Sequence, residues 1–251
     1  ITMFCSNSKP IPKVKFHYYP ATARGHQCRL AMAAAGIEFE DVFSDEFPLT
    51  EGDKARYFEM HGNTTFNLPI LQLDAGTDDE KLYIQSSAIL QKINRMGDMK
   101  TTIENDPDGD QGAYIIEKAI ADADDLRNKY YAGNINFGNS QEDAKKYVFE
   151  NFPKYVKNFE SQLEKSGGPF WGGSSTLSLA DVTIYDAVCF YGVYALVCGE
   201  GVVDPCGPTL KEWIARVESS PRIKAYLEGE QYKNLPMKSD NLVVRKMFFG
   251  L

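Results

Sequence analysis

The chain has 251 residues, of which 43% are hydrophobic and 25% are charged, and its formal net charge at pH 7 is -8. This length allows one large domain or two small ones, and the negative charge argues against general binding to nucleic acid or anionic membranes. Five cysteines without a Cys-X-X-Cys pair, and three histidines without ligand spacing, argue against a disulfide framework and a metal site. We therefore expect a cytoplasmic protein without a metal.

The first predicted elements form a strand–helix–strand unit. Residues 1–12 are polar and are expected to form a flexible leader. Apolar residues alternate with polar ones over 14–18, which predicts a strand. The Ala-, Leu- and Met-rich stretch 24–35 predicts a helix that ends at Gly36, and alternation over 38–43 predicts a second strand. Parallel pairing of the two strands requires a right-handed crossover.

The next predicted elements are a hairpin and a helix. Residues 48–66 are mixed and polar, which indicates a long connection with about one helical turn. Strands are predicted over 70–73 and 81–84, and the short turn between them makes the pair an antiparallel hairpin. A helix over 86–95 follows. The order of this part is therefore β-α-β-(α)-β-β-α.

The remainder of the chain is predicted to be helical. Residues 97–112 contain a proline and several aspartates and are predicted to be a linker. Beyond them, apolar residues recur at helical spacing in several segments. The expected domains are therefore an α/β domain over 13–96 and an all-α domain over 113–251 that includes a C-terminal tail.

One of the predicted helices, over 178–198, is apolar throughout most of its length. Its apolar run 182–197 is interrupted by Asp186 and is too short to span a membrane, so we expect a buried helix. Ser178 and Asp181 stand at its start with the spacing of a capping box. We assign these two residues a role in folding.

Two local patterns suit the binding of a small anionic peptide. The bond before Pro69 is of the X-Pro type, which is the only common place for a cis peptide, and such a bond would turn the Leu68 N–H and C=O outward to meet another extended backbone. Gln85 and Ser86 separate a strand from a helix. With Ser86 as N-cap, the free N–H groups and the helix dipole would favour a carboxylate.

The order and spacing of three motifs resemble the cytosolic glutathione transferase family. Residues 67–71 (Asn-Leu-Pro-Ile-Leu) are similar to the family's cis-proline strand, residues 85–90 to its Gln-Ser turn, and residues 177–182 to the capping box of its helical domain. The resemblance runs from about Lys13 to Tyr226 and is nearest to the tyrosine-dependent mu and sigma classes. It implies a thioredoxin-like domain with a mixed four-stranded sheet, followed by an all-α domain.

The resemblance also implies a function. It implies glutathione as co-substrate, a hydrophobic small-molecule electrophile as second substrate, a role in detoxification, and a homodimer that binds neither nucleic acid nor membranes. Two alternatives stay open. One is a glutathione-dependent isomerase, as in sigma-class prostaglandin D synthases, which would use the same glutathione site. The other is a relative that has lost catalysis and serves as a ligand-binding or structural protein.

A tyrosine is the expected catalytic group. A thiol with a pKa near 8.5 is only about 3% thiolate at pH 7, so the reaction needs a donor that stabilises the thiolate. The resemblance assigns this role to a tyrosine at the end of the first strand. Tyr18 matches it because Phe16, two residues earlier on the same face of the strand, is apolar. Tyr19, on the opposite face, is the alternative. The loop 20–23 also resembles serine-type classes, which nominates Thr22.

The resemblance assigns the glutathione contacts to the two local patterns. The Leu68 backbone would pair with the cysteinyl part, beside Pro69, and Asn67 would reach the glycyl end. Gln85 and Ser86 would bind the γ-glutamyl carboxylate, although ordinary helix capping would explain both residues as well.

Charged residues elsewhere are further candidates. Lys54 and Arg56 lie in the long connection and are candidates for cations at the glycyl end of glutathione. In related classes an acid of the partner subunit meets the γ-glutamyl amine, and Asp122 falls at the matching place. A solvated helix face beside Asp124 and Asp125 is the alternative explanation.

Aromatic residues are the remaining candidates. Phe66 stands where some classes insert an aromatic side chain into the partner subunit, but it would also suit a local core. Tyr130, Tyr131 and Phe137 stand where the family's helical domain lines the electrophile pocket. Aromatic residues of helices are more often part of a core, and that alternative stays open here.

Overall fold

The computed structural model describes most of the chain. The described residues are 12–43, 51–62, 67–97, 99, 106, 108–132, 142, 146–197 and 204–235.

The first half of the chain is built on a four-stranded mixed sheet. Its strands are β1 (Val14–Tyr18), β2 (Glu40–Phe43), β3 (Ile70–Leu73) and β4 (Lys81–Ile84), in the order β2-β1-β3-β4. β1 and β2 are parallel, whereas β3 is antiparallel to both β1 and β4. The predicted sheet and its hairpin are therefore confirmed.

Three helices accompany the sheet. α1 (Ala23–Ala35) connects β1 to β2, α2 (Glu51–His61) lies between β2 and β3, and α3 (Ser86–Met96) follows β4. About one helical turn was expected in 48–66, but α2 is longer and has eleven residues. Its Lys, Arg, Glu, Met and Ala residues favour a helix, but they form no apolar stripe that sequence periodicity would detect.

The second half is helical, as predicted. In chain order its elements are α4 (Asp110–Ala132), a π-helical turn (Tyr147–Asn151), α5 (Phe152–Ser166), a 3-10 turn (Trp171–Gly173), α6 (Leu179–Val197), α7 (Pro208–Ser219), α8 (Pro221–Glu228) and α9 (Glu230–Lys233). α4 packs along α6, and α1 packs against α3, α6 and α8. α1 therefore joins the sheet to the helical part.

Two element boundaries differ from the predicted ones by two residues or more. β2 begins at Glu40 rather than at residue 38, because its ladder with β1 begins where Glu40 pairs with Lys15. α4 begins at Asp110, inside the predicted linker 97–112, and an acidic residue in a first turn suits the helix dipole.

One large hydrophobic core runs through both halves, and a second, small cluster contains Ile70 and Leu82. Phe16 of β1, Leu30 of α1, Val182 of α6 and Trp213 of α7 are almost completely buried and belong to the same cluster. Within the described ranges, none of the helices has the length and apolar character that crossing a membrane requires. The apolar helix α6 is thus accounted for by burial in this core.

The start of α6 is fixed by one buried carboxylate. Asp181 accepts hydrogen bonds from the N–H and hydroxyl of Ser178, at 2.9 and 3.0 Å, as a capping residue would. It also accepts the Trp171 N–H at 2.7 Å and the Trp213 indole N–H at 2.9 Å. The sequence predicted only the contact with Ser178. Asp181 in fact joins three segments of the helical part.

A second carboxylate caps α7 from another helix. Glu160 of α5 accepts the N–H groups of Thr209 and Leu210 at 2.9 and 3.0 Å, where the N-cap residue is Gly207 and has no side chain. We expect Glu160→Ala to lower the free energy of unfolding by about 1–2 kcal/mol, because two N–H groups lose their acceptor.

Urea unfolding would measure the effect of Glu160→Ala. The exposed Glu164 of the same helix provides the control, and Glu164→Ala should change the free energy by less than about 0.5 kcal/mol. Equal losses in the two variants would contradict the capping role.

Candidate functional site

The register of the sheet brings three predicted segments to one end of the molecule. Tyr18, the last residue of β1, pairs with Phe43, the last residue of β2. β3 runs the other way, so that its first residue, Ile70, pairs with both His17 of β1 and Ile84 of β4. Consequently the end of β1, the segment before β3 and the segment after β4 are neighbours.

The Tyr18 side chain lies on the first turn of α1. Its hydroxyl oxygen accepts the Arg24 N–H at 3.0 Å. A Cβ at Gly25 would approach the Tyr18 ring to 2.3 Å, so only glycine leaves room for the ring there. Burial raises the pKa of Tyr18 above its ordinary value, which keeps the hydroxyl protonated. Because the oxygen accepts from the backbone, its hydrogen remains available for another acceptor.

The two alternatives to Tyr18 are placed differently. The Tyr19 ring is 44% exposed and meets the Tyr18 ring edge-on at 5.6 Å. Thr22 is buried at the N-cap position of α1, where its side chain makes no capping bond, and its carbonyl accepts the His26 N–H at 2.7 Å. The Tyr18 hydroxyl accepts from the backbone of α1, and the roles of all three residues stay predictions.

A buried arginine fixes the loop that follows β1. Arg29 of α1 donates to both carboxylate oxygens of Asp41 at 2.7–3.0 Å and to the carbonyl of Ala21 at 2.7 Å. Its guanidinium also lies 5.6 Å from the centre of the Tyr18 ring. The loop between Tyr18 and α1 is therefore held against the sheet.

A second arginine connects this turn to the helical part. Arg24 donates to Asn128 of α4 at 3.2 Å, and its guanidinium lies 4.7 Å above the Tyr131 ring. The Tyr131 hydroxyl is close enough to add to the burial that raises the pKa of Tyr18. Two residues of α4 thus reach the site.

The other predicted pocket residues are not all near this turn. Tyr130 is 1% exposed and packs edge-on against Tyr131 and Tyr147, inside the core of the helical part. Phe137 lies outside the described residues, and so does the segment with Phe66. Their roles stay predictions.

The segment before β3 has the predicted peptide bond. The Leu68-Pro69 bond is cis. Asn67 is exposed, and Leu68 is half-buried. In the described part of the chain, no backbone hydrogen bond involves Leu68. Its N–H and C=O are therefore available to an extended ligand, in the manner of an added strand.

The junction of β4 and α3 corrects one prediction. Ser86 was expected to be the N-cap of α3, but it is the first helical residue, and Gln85 stands at the N-cap position without a side-chain capping bond. The reason is the backbone of Gln85, whose φ of 69° turns the chain sharply between strand and helix. Such strained backbones cluster at functional sites. The first turn of α3 still lies at the end of the sheet where Tyr18 lies, and its leading N–H groups have no acceptor within the helix.

Two acidic residues of α4, Asp122 and Asp124, are engaged within the chain. Asp124 accepts a hydrogen bond from Ser87 at 2.6 Å. Asp122 accepts from Lys118 and Gln162, so its predicted contact with a partner's ligand stays a prediction.

The predicted cations are only partly described. Lys54 contacts Glu51, one turn earlier in α2. The side chain of Arg56 lies outside the described part. Among the described residues no group of three or more His, Cys, Asp or Glu side chains is placed to hold a metal.

Known proteins resemble this chain in sequence and in fold. Residues 124–230 match the family model described as glutathione S-transferase, C-terminal domain. A Bos taurus protein named glutathione S-transferase P is 25% identical over 232 residues, which cover 92% of this chain and 99% of the relative. The helical part therefore matches the C-terminal domain of glutathione S-transferases, and the chain is similar to proteins of that name over most of its length.

Two solved structures show the same transferase fold. A Fasciola hepatica sigma class transferase has a TM-score of 0.64 at 21% identity, covering 86% of this chain and 96% of that one. The prostaglandin synthase D of Nilaparvata lugens has a TM-score of 0.62 at 18% identity, covering 87% of this chain and 98% of that one.

Some residues of the candidate site were not found from the sequence. Arg24 and Asn128 are 104 positions apart, and Ser87 and Asp124 are 37 apart, so no periodicity connects them. One signal was available. An arginine in the first turn of a helix opposes the helix dipole, and such an unfavourable choice suggests a function.

Proposed function

We propose that this protein is a glutathione S-transferase, which adds the glutathione thiolate to hydrophobic electrophiles. The observation that carries the proposal is the meeting of three groups at one end of the sheet: the protonated Tyr18 hydroxyl, the unpaired Leu68 backbone and the first turn of α3.

Tyr18 supplies the activation of the thiol. A hydrogen bond from its hydroxyl to the thiolate sulfur favours the ionised form, and lowering the thiol pKa by two units corresponds to about 2.7 kcal/mol. The thiolate fraction at neutral pH then rises more than tenfold. The Arg24 guanidinium and the positive end of the α1 dipole lie at the same end of the sheet. Both favour the negative charge of the thiolate.

The peptide contacts position the sulfur beside Tyr18. The backbone of Leu68 pairs with the cysteinyl part of glutathione, and exposed Asn67 meets the glycyl end. Ser86 and the first-turn N–H groups of α3 hold the γ-glutamyl carboxylate, with Gln85 beside them.

Further contacts complete the proposed glutathione site. Lys54 and Arg56 supply positive charge near the glycyl carboxylate. Asp122 of the second subunit meets the γ-glutamyl amine, in a cytoplasmic homodimer in which Phe66 lies at the interface.

The electrophile would bind over an aromatic surface at the same end of the sheet. Tyr19 and Phe43 are 44% and 46% exposed at the carboxyl ends of β1 and β2, and Tyr131 lies beside Arg24. Tyr130 packs edge-on against Tyr131, and we assign Phe137, which lies outside the described residues, to the same pocket. With an aromatic chloride, the thiolate sulfur bonds to the ring carbon, chloride leaves with the bonding electrons, and the thiol proton passes to solvent.

Ser86→Ala tests the carboxylate site. Alanine suits a first helical turn, so the fold should be kept, and the loss of a hydroxyl should raise the KM for glutathione about tenfold with kcat nearly unchanged. Steady-state kinetics would measure both constants. The control is Ser219→Ala in exposed sequence at the end of α7, which should leave KM unchanged. A large fall in kcat without a change in KM would contradict a binding role.

The decisive experiment is conjugation of glutathione to an activated dinitrophenyl chloride by the purified protein, followed by absorbance. Turnover supports the transferase. Glutathione binding without turnover of this or any other electrophile would instead favour a ligand-binding or structural protein.

A glutathione-dependent isomerase is the second candidate. The likeness in fold to the prostaglandin synthase D of Nilaparvata lugens favours it, because an isomerase would use the same activated thiolate. Conversion of a prostaglandin endoperoxide without consumption of glutathione would identify this activity.

A further inference from the structure

A buried chain of charged groups connects α1 to the helical part. Nδ1 of His26 lies 2.8 Å from one carboxylate oxygen of Asp186 on α6, and Arg127 of α4 donates to the other oxygen at 2.6 Å. The side chains of Asp186 and Arg127 are completely buried, and that of His26 is 6% exposed. Buried charges persist only where they are paired in this way.

The same chain continues to α3. Arg127 also contacts Asp124 at 3.3 Å, and Asp124 accepts the Ser87 hydroxyl at 2.6 Å. The bonded series thus begins in the first turn of α1, passes through α6 and α4, and ends in the first turn of α3. Those two turns are the ones that hold Tyr18 and bind the carboxylate in the proposed function.

The environment of His26 determines which nitrogen carries its hydrogen. Nε2 is buried and has no hydrogen-bond partner among the described residues; the ring faces Tyr232 at 5.5 Å and Tyr226 at 6.3 Å. A hydrogen on Nδ1 is donated to the carboxylate, whereas one on Nε2 would be left unpaired. Burial raises the pKa of Asp186, but Arg127 and His26 outweigh it and hold that pKa below its ordinary value.

We propose that His26 is a positioning residue, which fixes the Tyr18 hydroxyl through the first turn of α1. The inference rests on the proposed function. The His26 N–H closes that turn on the Thr22 carbonyl at 2.7 Å, and the turn contains the Arg24 N–H bonded to Tyr18. Asp186 holds the turn from the helical side by its bond to Nδ1. Loss of that bond lets the turn shift, and the Tyr18 hydroxyl then no longer meets the thiolate at hydrogen-bond distance.

Two substitutions of His26 distinguish the effect of its N–H donor from the effect of its side-chain volume. His26→Asn keeps an N–H near the position of Nδ1, whereas His26→Leu removes it. The pKa of bound glutathione can be read from the ultraviolet absorbance of its thiolate. We expect His26→Leu to raise that pKa by about one unit and to lower kcat/KM about tenfold near pH 6.5, with His26→Asn close to the wild type.

The matched control is a second contact between α1 and the helical part. Arg222 of α8 donates to the Ala34 carbonyl at 3.1 Å, at the far end of α1. Arg222→Met should lower the melting temperature without changing the thiol pKa. An unchanged thiol pKa in folded His26→Leu, or an equal rise in Arg222→Met, would overturn the positioning role. If His26→Leu does not fold, His26→Gln takes its place, because its donor is displaced by one methylene. An unchanged thiol pKa in His26→Gln would then overturn the positioning role.

Hydrogen exchange distinguishes this inference from the proposed function. In the protein without glutathione, the Arg24 and Gly25 amides should exchange faster in His26→Leu than in Arg222→Met. If the wild type does not ionise glutathione but this difference is found, the proposed function fails and the anchoring by His26 stands. If the wild type ionises glutathione and the exchange is equal, the inference about His26 fails alone.

Discussion

Replacement of Tyr18 by phenylalanine is expected to lower kcat/KM for conjugation about 100-fold near pH 6.5. The ring contact with Gly25 is kept, and only the hydroxyl that donates to the thiolate is lost. The thiol pKa of bound glutathione should return to near 8.5, as in free thiols. Steady-state kinetics and the absorbance of the thiolate would measure the two effects.

The loss of kcat/KM in Tyr18→Phe should depend on pH, because it follows from the change in the thiol pKa of bound glutathione. Without the donor, ionisation requires a higher pH, so the deficit of Tyr18→Phe should shrink as the pH rises through about 8.5. Burial raises the pKa of Tyr18, so its own ionisation should not appear in the wild-type profile below about pH 10. Tyr19→Phe and Thr22→Ala are the controls. A larger loss in either control than in Tyr18→Phe would reassign the catalytic hydroxyl.

Replacement of Asp181 by alanine is expected to lower the free energy of unfolding by about 3–5 kcal/mol. Four hydrogen bonds end on this carboxylate, and three of their donors are buried N–H groups that would be left without an acceptor. The effect should appear in urea unfolding of the ligand-free protein, with the transition followed by tryptophan fluorescence.

Asp181→Asn should lose less than Asp181→Ala, because its amide oxygen still accepts some of these hydrogen bonds. Asp78→Ala, in the exposed turn of the hairpin, is the control and should stay within about 0.5 kcal/mol of the wild type. A folded Asp181→Ala with wild-type stability would show that the cap contributes little.

Local patterns predicted much of the fold. The hairpin from β3 to β4 follows from two apolar runs and a short turn, and strand parity distinguished buried Tyr18 from exposed Tyr19. The cis bond before Pro69 was also predicted. These features depend on neighbours in the sequence, which is why the sequence was sufficient.

Other features do not follow from local sequence patterns, and some of them join distant parts of the chain. The backbone of Gln85 is held in a strained conformation by the strand and helix on either side, which made Ser86 a helical residue and not the cap. The bond of His26 to Asp186 spans 160 positions, and that of Arg24 to Asn128 spans 104. Such contacts exist only once the helices have packed.

The continuous core has a consequence for how the protein can be studied in pieces. Both tryptophans, Trp171 and Trp213, lie in the helical part, yet they share their hydrophobic cluster with Phe16 of the sheet. A fragment that contained only the sheet would expose the face of α1 that α6 and α8 cover, together with unpaired His26. The sheet and the helical part therefore form one cooperative unit, and neither half is a module that can be exchanged between relatives without redesigning the surface between them.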